Sequence, residues 1–279
     1  MVWRGGGVPS FWGSKRPKVA LVLGGGAARG FAHVGVIRVL EREKIPIDLI
    51  VGTSVGSLVG AIYADKKNSF ELEWTAFALE ERDIFDYTFI SPTQGFVRGE
   101  RLEEFVLRKL TARDIEQLKL PFAAVATDIQ NGEVVVLQSG SVGRAVRASS
   151  TIPGIFIPLR YQGRILVDGG VLNNMPVDVA RKLGADVVIA VDLGEARKSA
   201  PVSNIFDTIV QSLYLMASEN TEARLKQADV VIRPQVAHIG LIDFSRKKEL
   251  LTLGIEAAEQ ALPSLRAKLG SGTTVSAGN

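Results

Sequence analysis

Residues 47–63 of the chain are IDLIVGTSVGSLVGAIY, and this stretch decides the fold. An apolar run of strand length comes first, and an apolar run of helix length that is rich in small residues comes last. Between them lies a G-x-S-x-G pattern with Ser54 at its centre. This order predicts a nucleophile elbow, a sharp strand-to-helix turn that presents a serine hydroxyl. Gly52 and Gly56 fit such a turn because a Cβ at either position would press on the strand or helix beside it.

The composition of the chain limits the classes of function. Its 279 residues are 46% hydrophobic, so the chain can bury a large core. The net charge is +3 with acids and bases interspersed, which argues against a nucleic-acid partner. The chain has no cysteine and only two histidines, His33 and His238, so we expect no metal site.

The chain shows no targeting or membrane-spanning pattern. Its first residues lack the apolar core of a secretory signal, and its longest apolar stretch, roughly residues 45–64, is interrupted at the elbow. We therefore expect a cytoplasmic protein, and we leave open a transient, peripheral contact with a membrane surface. The sequence also leaves the oligomeric state open.

Alternation of strand and helix patterns predicts one α/β domain over residues 18–270, with loosely ordered tails at 1–17 and 271–279. A near-continuous apolar strand begins at Lys18 and enters a glycine-rich turn, which a helix over about 29–43 follows. On that helix His33 shares one face with apolar residues, which indicates a packed core histidine. Later strands are predicted at 121–127, 132–137, 164–170, 186–193 and 229–233, and later helices at 142–149, 176–183, 203–219 and 246–268.

Residues 66–116 have helical and loop character, and aromatic side chains are concentrated there. One interpretation is a satellite hydrophobic cluster, and the other is a lid or an acyl-chain wall near the elbow. The aromatic residues are Phe70, Trp74, Phe77, Phe85, Tyr87, Phe89 and Phe96.

A serine nucleophile needs a base within reach and donors for the oxyanion that forms on the substrate. Candidate groups lie at three predicted strand ends: the glycines of 24–26 with Arg29, then Ser54, then Asp168. Because ligands of parallel sheets collect at the carboxyl ends of strands, we expect these groups to meet at one edge. The glycine-rich turn at a helix start offers free backbone N–H groups to an anion.

Two other uses of a glycine-rich loop are disfavoured. A dinucleotide site requires G-x-G-x-x-G with an acid at the end of the second strand, whereas Ala27 replaces the middle glycine and the second strand leads to Ser54. The chain also has no G-x-x-x-x-G-K-[ST] pattern for a phosphate-binding loop.

Two arrangements could supply the base that deprotonates Ser54. Ser54, an acid at Asp168 or Asp192, and His238 follow the chain order of an α/β-hydrolase triad. That fold places several strands before its elbow strand, however, and here only one precedes it. A Ser54–Asp168 dyad without histidine is therefore the favoured interpretation, and the triad is the alternative.

The segments GGGAARG at 24–30, GTSVG at 52–56 and DGG at 168–170, in this order, resemble the patatin-like phospholipase family over about residues 18–193. The continuation of the first segment to Ile37 resembles the bacterial branch of that family. The resemblance implies a three-layer α/β/α fold with a mostly parallel central sheet. It also implies a serine lipid acyl hydrolase of phospholipase A or esterase type, acting on lipids or other acyl esters without metal or cofactor.

The resemblance assigns roles to individual residues. It implies Ser54 as the nucleophile that forms an acyl-serine intermediate and Asp168 as the base. It further implies oxyanion donors at Gly25, Gly26 and Val55, loop support from Gly24, Arg29 and Gly30, and motif glycines at Gly52, Gly56, Gly169 and Gly170. Ala27 departs from the pattern, because many members of the family have a third glycine there. The other class of function that we consider is a lipid-binding or regulatory protein with little turnover on the same scaffold.

Overall fold

The computed structural model describes residues 16–86, 96–194, 202 and 205–270, and of Phe206 it describes only the backbone. The two predicted tails therefore lie outside the described residues, except for 16–17. Tyr87 and Phe89 lie outside them as well.

A mixed sheet forms the centre of the described structure. Hydrogen-bonded pairing links its strands in the sequence β5-β6-β3-β2-β1-β7-β8, and β4 pairs with β3 as well. β3, β2, β1, β7 and β8 run parallel to one another, whereas β4 and β6 run antiparallel to β3. The strands are β1 (Val19–Leu23), β2 (Leu49–Thr53), β3 (Phe122–Asp128), β4 (Glu133–Leu137), β5 (Leu159–Tyr161), β6 (Arg164–Asp168), β7 (Val187–Val191) and β8 (Val230–Ile232).

Helices cover both faces of this sheet. On β1, Leu21 and Leu23 belong to the hydrophobic core that α1, α2 and α10 share, whereas Ala20 and Val22 belong to the core that α8 shares. Successive strand residues point to opposite faces, so this division defines a three-layer α/β/α fold. The helices are α1 (Phe31–Arg42), α2 (Val55–Lys66), α3 (Ser69–Phe77), α4 (Glu81–Ile84), α5 (Glu100–Lys109), α6 (Val142–Ser149), α7 (Gly170–Asn173), α8 (Val177–Lys182), α9 (Ile205–Leu225) and α10 (Lys247–Leu269).

Most predicted elements agree with the structure to within a few residues, and α6 agrees at both ends. α9 continues six residues beyond the predicted end at 219. Within the described ranges, no helix combines the length and the apolar character that a membrane span requires.

The strand that leads to Asp168 does not run parallel to the central strands. β5 and β6 form a hairpin through Gln162 and Gly163, whose φ angles of 49° and 77° are both positive, as in a type I′ turn. The turn reverses the chain, and β6 then runs antiparallel to β3. The strand also ends at Asp168, because Gly170 already begins α7.

α1 and α10 cross at very close range on one face of the sheet. A Cβ at Gly254 of α10 would lie 2.0 Å from the carbonyl oxygen of Ala32, and a Cβ at Gly35 of α1 would lie 2.1 Å from that of Leu251. Each helix thus requires a glycine at the crossing, because real Cβ atoms do not approach a backbone oxygen so closely.

We expect Gly254→Ala to lower the free energy of unfolding by about 1–3 kcal/mol, because the added methyl group forces the two helices apart. Gly240→Ala is the matched control, since its Cβ would meet no atom of the described residues closer than 3.6 Å. Urea unfolding of both variants measures the difference. A Gly254→Ala protein as stable as the parent would contradict the close approach.

Candidate active site

Ser54 and Asp168 come together because β2 and β6 end against each other on the same edge of β3. Val125 of β3 pairs with both β2 and β4, and Ala126 pairs with both β6 and β4. A strand has only two edges, and β4 occupies one of them at both positions. β2 and β6 therefore share the other edge and approach it from opposite directions. Ser54 directly follows the last residue of β2, and Asp168 is the last residue of β6.

Ser54 lies in a strained turn whose backbone is held on both sides. Its φ of 55° and ψ of −128° are unusual for a residue with a side chain, and such strain is concentrated at functional sites. The Ser54 N–H donates to Ser149 Oγ at 2.9 Å, and that hydroxyl donates to the Val125 carbonyl at 2.6 Å. Ser57 Oγ donates to the Ser54 carbonyl at 2.6 Å. The geometry is that of a nucleophile elbow.

The motif glycines allow the close packing of this turn. A Cβ at Gly52 would lie 2.5 Å from the Gly56 carbonyl oxygen, and a Cβ at Gly56 would lie 2.1 Å from that of Leu23. At the opposite strand end, a Cβ at Gly169 would lie 2.2 Å from the carbonyl oxygen of Val125. A side chain at any of these positions would force the neighbouring backbone segments apart.

Asp168 presents one carboxylate oxygen with no hydrogen-bond partner. Its N–H donates to the Thr151 carbonyl, and its Oδ1 accepts from the Gly170 N–H, both at 2.7 Å. Oδ2 is buried and has no hydrogen bond of standard geometry among the described residues, although the Ser54 hydroxyl lies close enough to the carboxylate to lower its pKa. Burial raises the pKa of Asp168 to about 6, against the opposing effects of the Ser54 hydroxyl and the Gly170 N–H. Chemically, a carboxylate of this kind can accept a proton from the adjacent serine.

Free N–H groups adjoin the serine. Within the described part of the chain, the N–H groups of Gly25 and Gly26 donate no hydrogen bond. Val55 is the first residue of α2, so its N–H has no acceptor within the helix. The loop passes against the elbow, since a Cβ at Gly25 would lie 3.2 Å from Ser54 Cβ. These groups can stabilise negative charge that develops beside Ser54.

Arg29 ties the glycine-rich loop to the segment that contains Ala237 and Ile239. Its guanidinium is buried and donates from Nε to the Ile239 carbonyl at 2.8 Å and from Nη2 to the Ala237 carbonyl at 2.9 Å. Burial lowers its pKa from the ordinary arginine value. Gly30 allows the loop to pack on α2, since a Cβ there would lie 2.2 Å from Val55 Cγ2. Ala27 has a φ of 47°, in the left-handed region that favours glycine.

The structure does not bring His238 to Ser54. The His238 side chain is 54% exposed, and its Nε2 lies 2.9 Å from Glu249 Oε1. Asp192 is buried elsewhere, where its Oδ1 accepts from the Gly194 N–H and its Oδ2 contacts Arg233. The arrangement thus lacks the geometry of a serine–acid–histidine triad.

Two clefts adjoin Ser54, and we call them the large cleft and the small cleft. The small cleft brings Ser54 and Asp168 together with Asn174 and Tyr214. Tyr214 was not predicted from the sequence, because it lies on α9, far from every motif. Burial and the nearby Asp168 carboxylate raise the pKa of its phenol, so Tyr214 is neutral.

The large cleft is almost entirely apolar. Val55, Leu58, Val59 and Ile62 of α2 form one wall, and further lining residues are Phe31, Val34, Ala76, Leu79, Ile84, Phe85, Leu102, Ile152, Ile155, Phe156, Val210, Leu241, Ile242 and Phe244.

The aromatic residues of 66–116 divide between several environments. Phe85 lines the large cleft, where its ring lies 5.9 Å from that of Phe156, and Phe77 packs on Phe31 of the core. Phe70 and Trp74 are about three-quarters exposed. Of these four aromatic residues, only Phe85 therefore lies where the interpretation as an acyl-chain wall requires it.

The site combines a strained serine elbow with a buried carboxylate on a three-layer α/β/α fold. This combination is the geometry of a serine hydrolase of the α/β class. The chain belongs to the patatin-like phospholipase family, whose model matches residues 21–181. The crystal structure of VipD from Legionella pneumophila has the same fold, with a TM-score of 0.62 over 90% of this chain and 67% of that one, at 16% identity.

Curated relatives include proteins of a yeast and of a mammal. Lysophospholipase NTE1 of Scheffersomyces stipitis is 31% identical over 278 residues, covering 88% of this chain and 18% of that protein. Patatin-like phospholipase domain-containing protein 6 of Homo sapiens is 40% identical over 184 residues, covering 63% of this chain and 13% of that protein. The chain thus spans less than a fifth of the length of these relatives. The assignment to the bacterial branch stays a prediction.

We expect the stability of Asp168→Asn relative to the parent protein to rise with pH. A carboxyl whose folded pKa is raised stabilises the fold below its unfolded pKa, near 4, and this contribution is lost as pH increases through about 6. The difference between a pKa near 4 and one of about 6 corresponds to about 3 kcal/mol, which the variant gains over the parent between pH 4 and pH 7. Urea unfolding of both proteins across this range tests the expectation, and a difference that does not change with pH would contradict it.

Proposed function

We propose that the protein is a serine lipid acyl hydrolase of the phospholipase A or esterase type. The observation that carries the proposal is the strained Ser54 elbow beside the buried, partner-free Oδ2 of Asp168. Membership of the patatin-like phospholipase family supports it, as do relatives named as a lysophospholipase and a phospholipase domain protein.

In the proposed reaction, Asp168 Oδ2 takes the proton of the Ser54 hydroxyl while Oγ attacks the carbonyl carbon of an ester. The resulting oxyanion is stabilised by the N–H groups of Gly25, Gly26 and Val55. The C–O bond of the ester then breaks, and the leaving alcohol takes the proton from Asp168, which leaves an acyl-serine. Asp168 next accepts a proton from water, the hydroxide attacks the acyl carbon, and the fatty acid departs as Ser54 recovers its proton.

The raised pKa of Asp168 suits this role. An ordinary aspartate with a pKa near 4 is a weak base for a hydroxyl group, whereas a pKa of about 6 keeps the carboxylate ionised at neutral pH and makes it more basic. No histidine is required between the two side chains.

In the proposed complex, the acyl chain occupies the large cleft. The apolar wall from Val55 to Ile62 follows two turns of α2 and extends roughly 10 Å away from Ser54. Apolar surface of this length offers the burial energy that a medium or long acyl chain requires. The proposal includes a cytoplasmic location and a transient contact with a membrane surface, where such a substrate resides.

We expect Ser54→Ala to lower the hydrolysis of p-nitrophenyl butyrate by roughly 10³-fold or more and to abolish labelling by a fluorophosphonate. Asp168→Asn should lower kcat by roughly 10²–10⁴-fold, because the base is lost. His238→Ala is the control and should retain the parent's rate. Lipid binding by a parent protein without any Ser54-dependent turnover would favour a lipid-binding protein instead. Loss of activity in His238→Ala but not in Asp168→Asn would overturn the choice of base.

We expect Ile62→Trp to change the preference for acyl-chain length, because the indole fills the large cleft far from Ser54. Its kcat/KM for p-nitrophenyl palmitate should fall roughly tenfold or more, while that for the butyrate ester stays within about threefold. Ile62→Val keeps the cleft open and serves as the control. Equal losses of kcat/KM on the two esters would show that the acyl chain does not occupy the large cleft.

A further inference from the structure

His33 is a buried polar side chain that the proposed reaction does not use. It lies on the apolar face of α1, among Val36, Ile37 and Leu40, and is fully inaccessible to solvent. Its Nε2 lies 2.8 Å from the carbonyl oxygen of Gly24. A carbonyl oxygen can only accept a hydrogen bond, so the ring proton is assigned to Nε2. Nδ1 is buried and has no hydrogen-bond partner among the described residues.

A histidine at this position needs a reason beyond packing. A bare, buried nitrogen lowers stability, and an apolar side chain on the same face would avoid that penalty. Burial also lowers the pKa of His33 to about 4, so at neutral pH the ring is uncharged and has a single N–H to donate. The bond to Gly24 is therefore the one polar interaction that this side chain makes within the described structure.

We propose that His33 is a positioning residue that fixes the plane of the Gly24–Gly25 peptide and thereby the direction of the Gly25 N–H. The inference rests on the proposed function, in which this N–H binds the oxyanion. The C=O and N–H of a trans peptide point in opposite directions, and no described peptide bond is cis. A carbonyl held toward His33 therefore directs the Gly25 N–H away from the ring, on a residue that adjoins Ser54.

The loop requires such a restraint because three successive glycines have no side chains to hold their peptides. Bonds on either side fix the neighbouring groups: the Gly24 N–H donates to the Val191 carbonyl at 3.1 Å, and the Gly26 carbonyl accepts from the Arg29 N–H at 3.0 Å. Between them, the Gly24–Gly25 peptide is free to rotate unless its carbonyl is bound. A rotated peptide would present an oxygen in place of an N–H, and this oxygen would repel the oxyanion.

The test compares His33→Gln with His33→Asn, which carry the same amide group at different reach. We expect His33→Gln to place its amide near the position of Nε2 and to keep kcat for p-nitrophenyl butyrate within about fivefold of the parent. His33→Asn is one methylene shorter and should lose roughly 10–100-fold in kcat, somewhat less than the loss of a whole oxyanion donor, with KM within about twofold. His33→Leu should match His33→Asn.

Val36→Ala separates positioning from general loss of stability. It removes buried packing from the same helix face and should lower the melting temperature while kcat below that temperature stays at the parent's value. Equal kcat in His33→Gln and His33→Asn, or a loss in Val36→Ala as large as in His33→Asn, would overturn the inference. A parent protein without Ser54-dependent turnover would overturn the proposed function, and the inference would fall with it.

Discussion

The site depends on the meeting of two strand ends, β2 and β6, on one edge of β3. Their last pairs with β3, at Val125 and Ala126, are consecutive, so the chain that leaves β2 and the chain that leaves β6 must both turn away from the sheet at this place. One turn carries Ser54 and the other carries Asp168. Because neighbouring backbone hydrogen bonds fix both strands, the distance between the two side chains is set by the sheet and not by flexible loops.

At this place backbone segments pack so closely against one another that no Cβ fits between them, so the positions around it are glycines. Gly52 and Gly56 adjoin each other across the elbow, and Gly169 adjoins the carbonyl of Val125. The same carbonyl accepts from Ser149 Oγ, which in turn accepts from the Ser54 N–H. A single backbone group thus ties together the serine turn, the aspartate turn and helix α6.

The sequence predicts these local features well because each depends on nearby residues. A glycine-flanked serine between a strand pattern and a helix pattern has few alternative conformations, and helix α6 begins at a serine cap that its sequence supplies. The direction of β6 was not predictable in the same way, because it depends on the two-residue turn at Gln162 and Gly163 and on which edge of β3 was free. Ser149 and Tyr214 reach the site only through tertiary packing, which no periodicity in the sequence reports.

The electrostatics of the site depend on Asp168 having no cation beside it among the described residues. A cation beside Asp168 would lower its pKa by about 1–3 units and weaken it as a base. Arg29 is the cation of the glycine-rich segment, but its guanidinium donates to the carbonyls of Ala237 and Ile239 and not to Asp168. Among the described residues, only the hydroxyl of Ser54 and one backbone N–H oppose the rise in the pKa of Asp168, and the nearby phenol of Tyr214 stays neutral. Since no cation among the described residues compensates the carboxylate, its basicity comes from burial, and the fold carries the corresponding loss of stability at neutral pH.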